Sequence, residues 1–351
     1  MIGQYYEEDI KIGKYLYYLL PAILFSIYFK ISSYELALFF AACISIIPLA
    51  GIMGEATESL ACHAGERVGG LLNATFGNAT ELLITIFALR AGLFDVVKAS
   101  IAGSILGNIL LVLGLSILVG GIKNGEQKFD RVHINNQTSL MFLATIALII
   151  PAVFFQGEKQ HHALEGFSLA VASILLVLYF VGLFFAMQRK NDTCTAEVSH
   201  WSKGKAIFIL AVSTVLIAME SEFLVGSIEP VTEALGWSEF FIGIIIIPII
   251  GNAAEHFTAI TMALRNKMDL SFEIAVGSST QIAMLITPVL VFLSFGFGTP
   301  MTMMFNYNEI VVVALAVLIA QFISLDGESN WLEGALLVAA YFIIAIAFFF
   351  L

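Results

Sequence analysis

The sequence predicts an all-α polytopic membrane protein of about eleven transmembrane helices, one leading helix plus two inverted five-helix repeats. Three observations predict it. Of the 351 residues 59% are hydrophobic and only 12% are charged, and the mean hydropathy is +0.94, outside the range of soluble domains. Apolar runs of the roughly 20 residues needed to cross a bilayer follow one another along almost the whole chain, leaving no room for a sizeable soluble domain. Finally, Gly77-Asn78-Ala79-Thr80-Glu81 returns as Gly251-Asn252-Ala253-Ala254-Glu255, each inside such a run. A barrel is excluded because runs such as 244–250 and 336–351 do not alternate.

The elements follow in order. The leading span is 14–31; Glu7, Glu8 and Asp9 before it are too acidic for a signal-peptide n-region, so it is expected to be retained. Next come 35–60, bearing Glu55 and Glu58 toward its far end, and 68–90, bearing the first motif. Span 95–120 carries Ser104, and 137–156 with 163–187 close the first repeat. The polar connector 188–202 holds Arg189, Lys190, Asp192 and Glu197. Beyond it, 204–228 bears Glu220 and Glu222, 233–264 the second motif, and 270–297 Ser278 and Gln281; 307–325 and 331–351 complete the set. The predicted organisation is therefore 1–34 for the N-terminus and leading helix, 35–187 for the first repeat, 188–202 for a cytoplasmic connector and 203–351 for the second repeat.

Orientation rests on Lys and Arg. Of the 16, twelve fall on the N-terminal side: Lys11, Lys14, Arg67, Lys123, Lys128, Arg131, Arg189, Lys190, Lys203, Lys205, Arg265 and Lys267. Lys30, Arg90, Lys98 and Lys159 fall on the other. This predicts a cytoplasmic N-terminus, an extracytoplasmic C-terminus and, with five helices per repeat, opposite polarity for the two repeats. Such inverted pairs suit alternating access around a site near the bilayer midplane.

The repeat has a fixed offset. Glu81 and Glu255 lie 174 residues apart, as do Ser104 and Ser278, so in each half the Glu precedes the Ser by 23 residues. A carboxylate in hydrocarbon is costly and is normally kept facing a cavity, a partner or a cation. Asn78 with Glu81, and Asn252 with Glu255, share a helix face at i, i+3. A hard divalent cation takes several oxygens, and Glu81 with Glu255 supply the two charges that balance one Ca²⁺. Gly77 and Gly251 suit either close helix approach or a helix break. Ser104, Ser278 and Gln281 offer further oxygens, and Asn108 is a weaker candidate of the same kind. All of these polar residues also suit plain interhelical hydrogen bonding. Glu58 and Glu222 form a second carboxylate pair fitted to proton handling at a vestibule, or to simple solvation at a helix end.

Other features carry less. Pro48, Pro248 and Pro288 fall inside spans, where they kink helices. Gly103-x-x-x-Gly107 reads as close helix packing. Cys43, Cys62 and Cys194 make neither a disulfide framework nor a thiolate site. His161-His162 is an isolated loop pair, and His256 either tunes Glu255 or packs neutrally. The net charge of -11 gives no reason to expect nucleic acid, and the absence of a P-loop or HExxH motif gives none to expect enzymatic chemistry.

At these residues the chain resembles the calcium/proton antiporter (CAX) family of the cation/calcium exchanger superfamily, over nearly its whole length. The resemblance rests on the string from Gly65-Glu66 through Gly69-Gly70-Leu71-Leu72-Asn73-Ala74-Thr75-Phe76 to Glu81, on Gly251-Asn252-Ala253-Ala254-Glu255-His256, and on Gly277-Ser278-Ser279-x-Gln281. It implies the eleven-helix architecture, with Glu81 and Glu255 binding Ca²⁺ or protons alternately. Asn78, Asn252, Ser104, Ser278 and Gln281 would support them, and Glu58 and Glu222 would serve proton coupling. It also implies a multi-pass cell-membrane protein exporting calcium, with Ca²⁺, H⁺ and the lipid bilayer as partners, no cofactor, and a homo-oligomer compatible with the sequence. The connector carries only Asp192 and Glu197, where many eukaryotic members are markedly acidic, and no long N-terminal arm precedes the first span. Both features imply a compact bacterial member. The alternatives are a sodium-coupled calcium exchanger and a cation channel with a carboxylate ring.

Overall fold

The computed structural model describes residues 17–155, 161–188 and 201–351. The acidic N-terminal residues with Lys11 and Lys14, Lys159, and the bulk of the connector with Cys194 lie outside the described residues, as do the side chains of His161 and His162. Helix α1 (Ala22–Ile31) belongs to the leading span and α2 (Glu35–Ala64) to the next. The predicted helix 68–90 is two helices, α3 (Glu66–Phe76) and α4 (Ala79–Arg90), separated by a turn at Gly77 and Asn78. One rod follows: α5 (Phe94–Leu106), a π-helical turn (Gly107–Val112) and α6 (Leu113–Asn124). Then come α7 (Arg131–Phe154), α8 (His161–Gln188) and α9 (Lys203–Gly226).

The predicted helix 233–264 is also interrupted. It resolves into the end of α10 (Ile228–Leu235), α11 (Glu239–Phe241), a π-turn (Ile242–Ile246), α12 (Ile247–Gly251) and α13 (Ala253–Leu264). Gly236 stops α10 because it holds the left-handed conformation (φ 69°) that other residues avoid. The remaining helices are α14 (Met268–Gln281), a π-turn (Ile282–Ile286), α15 (Thr287–Gly296), α16 (Tyr307–Ile323) and α17 (Trp331–Phe349). Among the described residues seven stretches are long and apolar enough to cross a membrane, or eight if α10 and 239–251, bent by 119° at their break, form one span. The protein is a multi-pass helical membrane protein. Helices α1 and α16 are apolar but shorter, and α3 and α4 are short because the motif divides them.

Two of the π-turns have a visible cause. Pro248 offers no N–H to the carbonyl of Ile244, and its ring crowds that oxygen, so the backbone widens over Ile242–Ile246. Pro288 stands in the same relation to Ile282–Ile286, where Thr287 Oγ1 donates to the Ile282 carbonyl at 2.8 Å.

Contacts group the chain into two compact units, each drawing on both halves of the sequence. The first comprises the chain up to Phe87, Lys190–Glu239 and Ile250–Ala254. Its backbone is α2 lying along α9, with α1, α3 and α10 also packed on α2. Leu49, Met53 and Ala56 meet Leu210 and Ile217 in its core, spaced at i, i+4 and i+7 as a buried helix stripe requires.

The second unit comprises Ala88–Arg189, Phe240–Ile249 and Glu255–Leu351. Helices α6 and α17 pack along each other. Glycines permit it: a Cβ on Gly121 would sit 2.7 Å from the Trp331 nitrogen, and one on Gly114 would sit 2.9 Å from Leu337 Cβ. The two-residue strands β1 (Gln127–Lys128) and β2 (Glu328–Ser329) pair antiparallel near the ends of α6 and α16, and Lys128 meets Glu328 at 3.0 Å. Helix α5 packs on the π-turn before Pro248. There a Cβ on Gly103 would overlap the Ile244 carbonyl, whereas Gly107 faces open space. Close packing therefore rests on Gly103 and not on the Gly103/Gly107 pair. Gly103→Ala should cost about 1–3 kcal/mol, as overpacking does, read as an earlier midpoint in thermal or denaturant unfolding in detergent.

Candidate functional site

Both signature motifs fall on helix breaks. Glycine and asparagine are poor helix formers, and an asparagine side chain competes for backbone hydrogen bonds. The breaks at Gly77-Asn78 and at Asn252 place Glu81 in the first turn of α4 and Glu255 in the first turn of α13. A helix start carries partial positive charge and the helix end before it presents carbonyls without intrahelical partners. Discontinuous membrane helices use this pairing to hold ions.

In the first unit Glu81 is 3% exposed, and Asn78 and Asn252 are 1% exposed. The Glu81 side chain lies against Gly251. A Cβ there would come within 3.2 Å of Glu81 Cγ and 3.3 Å of its Oε1, so Gly251 is the residue that makes room for the carboxylate. Of the two readings of this glycine, close helix approach or a helix break, the structure shows a side chain against it and a break at the next residue, Asn252.

In the second unit a polar chain ends on the other carboxylate. Asn108 Nδ2 donates to Ser278 Oγ at 3.0 Å, and Ser278 Oγ donates to Glu255 Oε2 at 2.6 Å. Ser104, Asn108 and Ser278 are buried, while Gln281 and Glu255 are partly buried. Gln281 is the last residue of α14 before its π-turn. Asn108 lies inside the π-turn of the α5–α6 rod. That turn and the one at Ile282–Ile286 begin 175 and end 174 residues apart, close to the 174-residue offset of the two motifs. Asn108 is thus joined to Glu255 through Ser278.

The second carboxylate pair is arranged differently. Glu58 and Glu222 are exposed, as is Glu55, which accepts a hydrogen bond from Tyr17 at 3.1 Å. The buried member is Glu220, fully enclosed, with Ser26 Oγ of α1 donating to its Oε1 at 2.6 Å. Its place was legible: Leu210, Ser213, Ile217, Glu220 and Leu224 form the buried stripe of α9 at alternating spacings of three and four. Glu222 falls off that stripe.

Apolar spans interrupted at two copies of one motif, each with a carboxylate in the turn after the break, Glu81 buried and Glu255 partly buried, have the pattern of a membrane transporter. Residues 34–188 and 205–350 match the family described as sodium/calcium exchanger protein, and the chain belongs to that family. It is 48% identical over 325 residues to the Ca(2+)/H(+) antiporter ChaA of Bacillus subtilis (strain 168), spanning 90% of this chain and 92% of the relative. It is 46% identical over 338 residues to the Ca(2+)/H(+) antiporter of Aphanothece halophytica, spanning 90% and 91%. The solved structure of native YfkE matches with a TM-score of 0.86 at 45% identity, over 96% of this chain and all of that one.

Proposed function

We propose that this protein exchanges Ca²⁺ for H⁺ across the membrane, with Glu81 and Glu255 as the carboxylates that hold either ion. The observation that carries it is the pair of interrupted helices, each placing an inward carboxylate of one repeated motif in the turn after the break. The names of the close relatives supply the ion pair. A carboxylate in a low-dielectric interior needs its charge neutralised. Protons or one Ca²⁺ do so for the pair, whereas the empty, doubly charged state is too costly to reorient. That asymmetry makes exchange obligatory, and by charge alone suggests two protons per calcium.

The finer reading follows the sequence. Asn78, Asn252, Ser104, Ser278 and Gln281 supply or position neutral oxygens, with Asn108 acting through Ser278. Glu58 and Glu222, being exposed, pass protons at the rim. The chain crosses about eleven times, 35–187 and 203–351 act as inverted repeats in alternating access, and the protein exports calcium through the cell membrane with its N-terminus in the cytoplasm. No enzymatic step is needed.

Purified protein in liposomes tests it. A pH gradient in sodium-free medium should drive uptake of labelled calcium, and a sodium gradient at uniform pH should not. Uptake driven by sodium alone would make the protein a sodium/calcium exchanger, as the family description allows; flux that neither saturates nor follows the pH gradient would make it a channel. In the same assay Ser278→Ala strips Glu255 of its hydroxyl donor. Hydrogen bonds to charged groups are worth about 1.5–3 kcal/mol, so calcium KM should rise roughly 10- to 100-fold.

A further inference from the structure

A second polar feature runs toward Glu255 along helices α7 and α14 of the second unit. Helices α7 and α14 pack together and begin at the same level, where the Asp130 backbone nitrogen donates to Asp269. On α14, Asp269, Glu273, Gly277 and Gln281 recur at every fourth position, which keeps them on one side of the helix. His133 and Gln137 are spaced alike on α7 and meet that side: His133 Nε2 is 4.0 Å from Glu273 Oε1, and Gln137 Oε1 is 3.7 Å from the place a Cβ on Gly277 would take.

The amide of Gln137 is oriented. Its Nε2 lies 3.2 Å from His133 Nε2 and donates to that ring nitrogen when the nitrogen carries no proton, with Oε1 on the Gly277 side. Gln137 Oε1 is buried and has no hydrogen-bond partner among the described residues. An orphaned acceptor at membrane depth is costly and calls for an occupant. Gly277 contributes no side chain, and no other atom of a neighbouring element lies within 4 Å of its absent Cβ. The next residue is Ser278, hydrogen-bonded to Glu255.

We propose that the α7/α14 seam is the lane by which Ca²⁺ reaches Glu255 from the face bearing Arg131, Arg265 and Lys267. Glu273, with a side chain 44% exposed, recruits the cation at the mouth. Gln137 Oε1 is the neutral oxygen that replaces part of its water shell beside the bare backbone of Gly277, a ligand type suited to a hard cation. His133 is a positioning residue that fixes the amide. The lane rests on the exchange reading above and adds to it a direction.

Direction supplies the test. Calcium KM is measured in everted and in right-side-out vesicles, so that the ion is presented to each face in turn. Gln137→Leu removes the oxygen at similar volume and should raise KM about tenfold on the face bearing Arg131, with the KM on the opposite face changed less than twofold. Glu273→Gln should raise the same KM severalfold at low ionic strength, an effect that shrinks as salt screens the charge. Gln137→Glu keeps an oxygen and should keep the wild-type KM or lower it. If Gln137→Leu does not fold, Gln137→Met reads the same quantity. A polar seam that merely glues two helices would change both faces alike, and equal shifts, or none, in folded variants overturn the lane. Absence of proton-driven uptake in the wild type would instead overturn the exchange reading.

Discussion

Glu81→Gln and Glu255→Gln should each abolish proton-driven calcium uptake while leaving the protein folded. The substitution keeps the shape and one carbonyl oxygen but removes the charge. At about 4 Å and an effective dielectric near 20, one unit-charge pair is worth roughly 4 kcal/mol, which is about a thousandfold in binding. Each variant also loses a titratable group, so calcium that still binds no longer displaces a proton from that position. Glu81 is almost fully enclosed and lies against Gly251, which leaves no slack for a neighbouring acid to take its place. Near-normal uptake by either variant, measured against a pH gradient in vesicles, would remove that residue from the site.

Gly251→Val should come next in severity. Even the single carbon of Gly251→Ala would press on three atoms of Glu81 at 3.2, 3.3 and 3.4 Å. A flexible side chain gives way by a few tenths of an ångström, so alanine should lower transport about tenfold. Valine adds two methyl groups at that point and forces the carboxylate aside. A displacement near 1 Å can cost about a hundredfold where geometry must be held. Transport rate and detergent stability measured together separate the outcomes: loss of transport in a stable protein supports the role of Gly251 as the space for Glu81. A wild-type rate for Gly251→Val would show that the carboxylate does not need its observed position.

Much of this was legible in the sequence because membrane insertion imposes simple constraints. The spans follow from apolar length, and the carboxylates stood out because charge in hydrocarbon is rare. The equal separation of Glu81 from Ser104 and of Glu255 from Ser278 carried the pairing. What the pattern hid was local. Hydropathy does not register a two-residue turn, so 68–90 read as one helix although it breaks at Gly77 and Asn78. Prolines 248 and 288 announced distortion but not π-turns, and the π-turn at Gly107–Val112, which holds Asn108, has no proline to betray it. Helical register would have separated buried Glu220 from exposed Glu222, whereas the sequence reading took Glu222 as the partner of Glu58. Gln137 gave no signal by itself, since its significance depends on a facing glycine 140 residues away.

The most direct measurement of the central claim is proton release on calcium binding. Purified protein in weakly buffered detergent is mixed with Ca²⁺ and the pH is followed. The wild type should release protons in proportion to bound calcium, by charge balance about two per ion, and the combined Glu81→Gln, Glu255→Gln variant should release none. Calcium binding without proton release, or undiminished release from the double variant, would contradict the claim that these two carboxylates exchange one ion for the other.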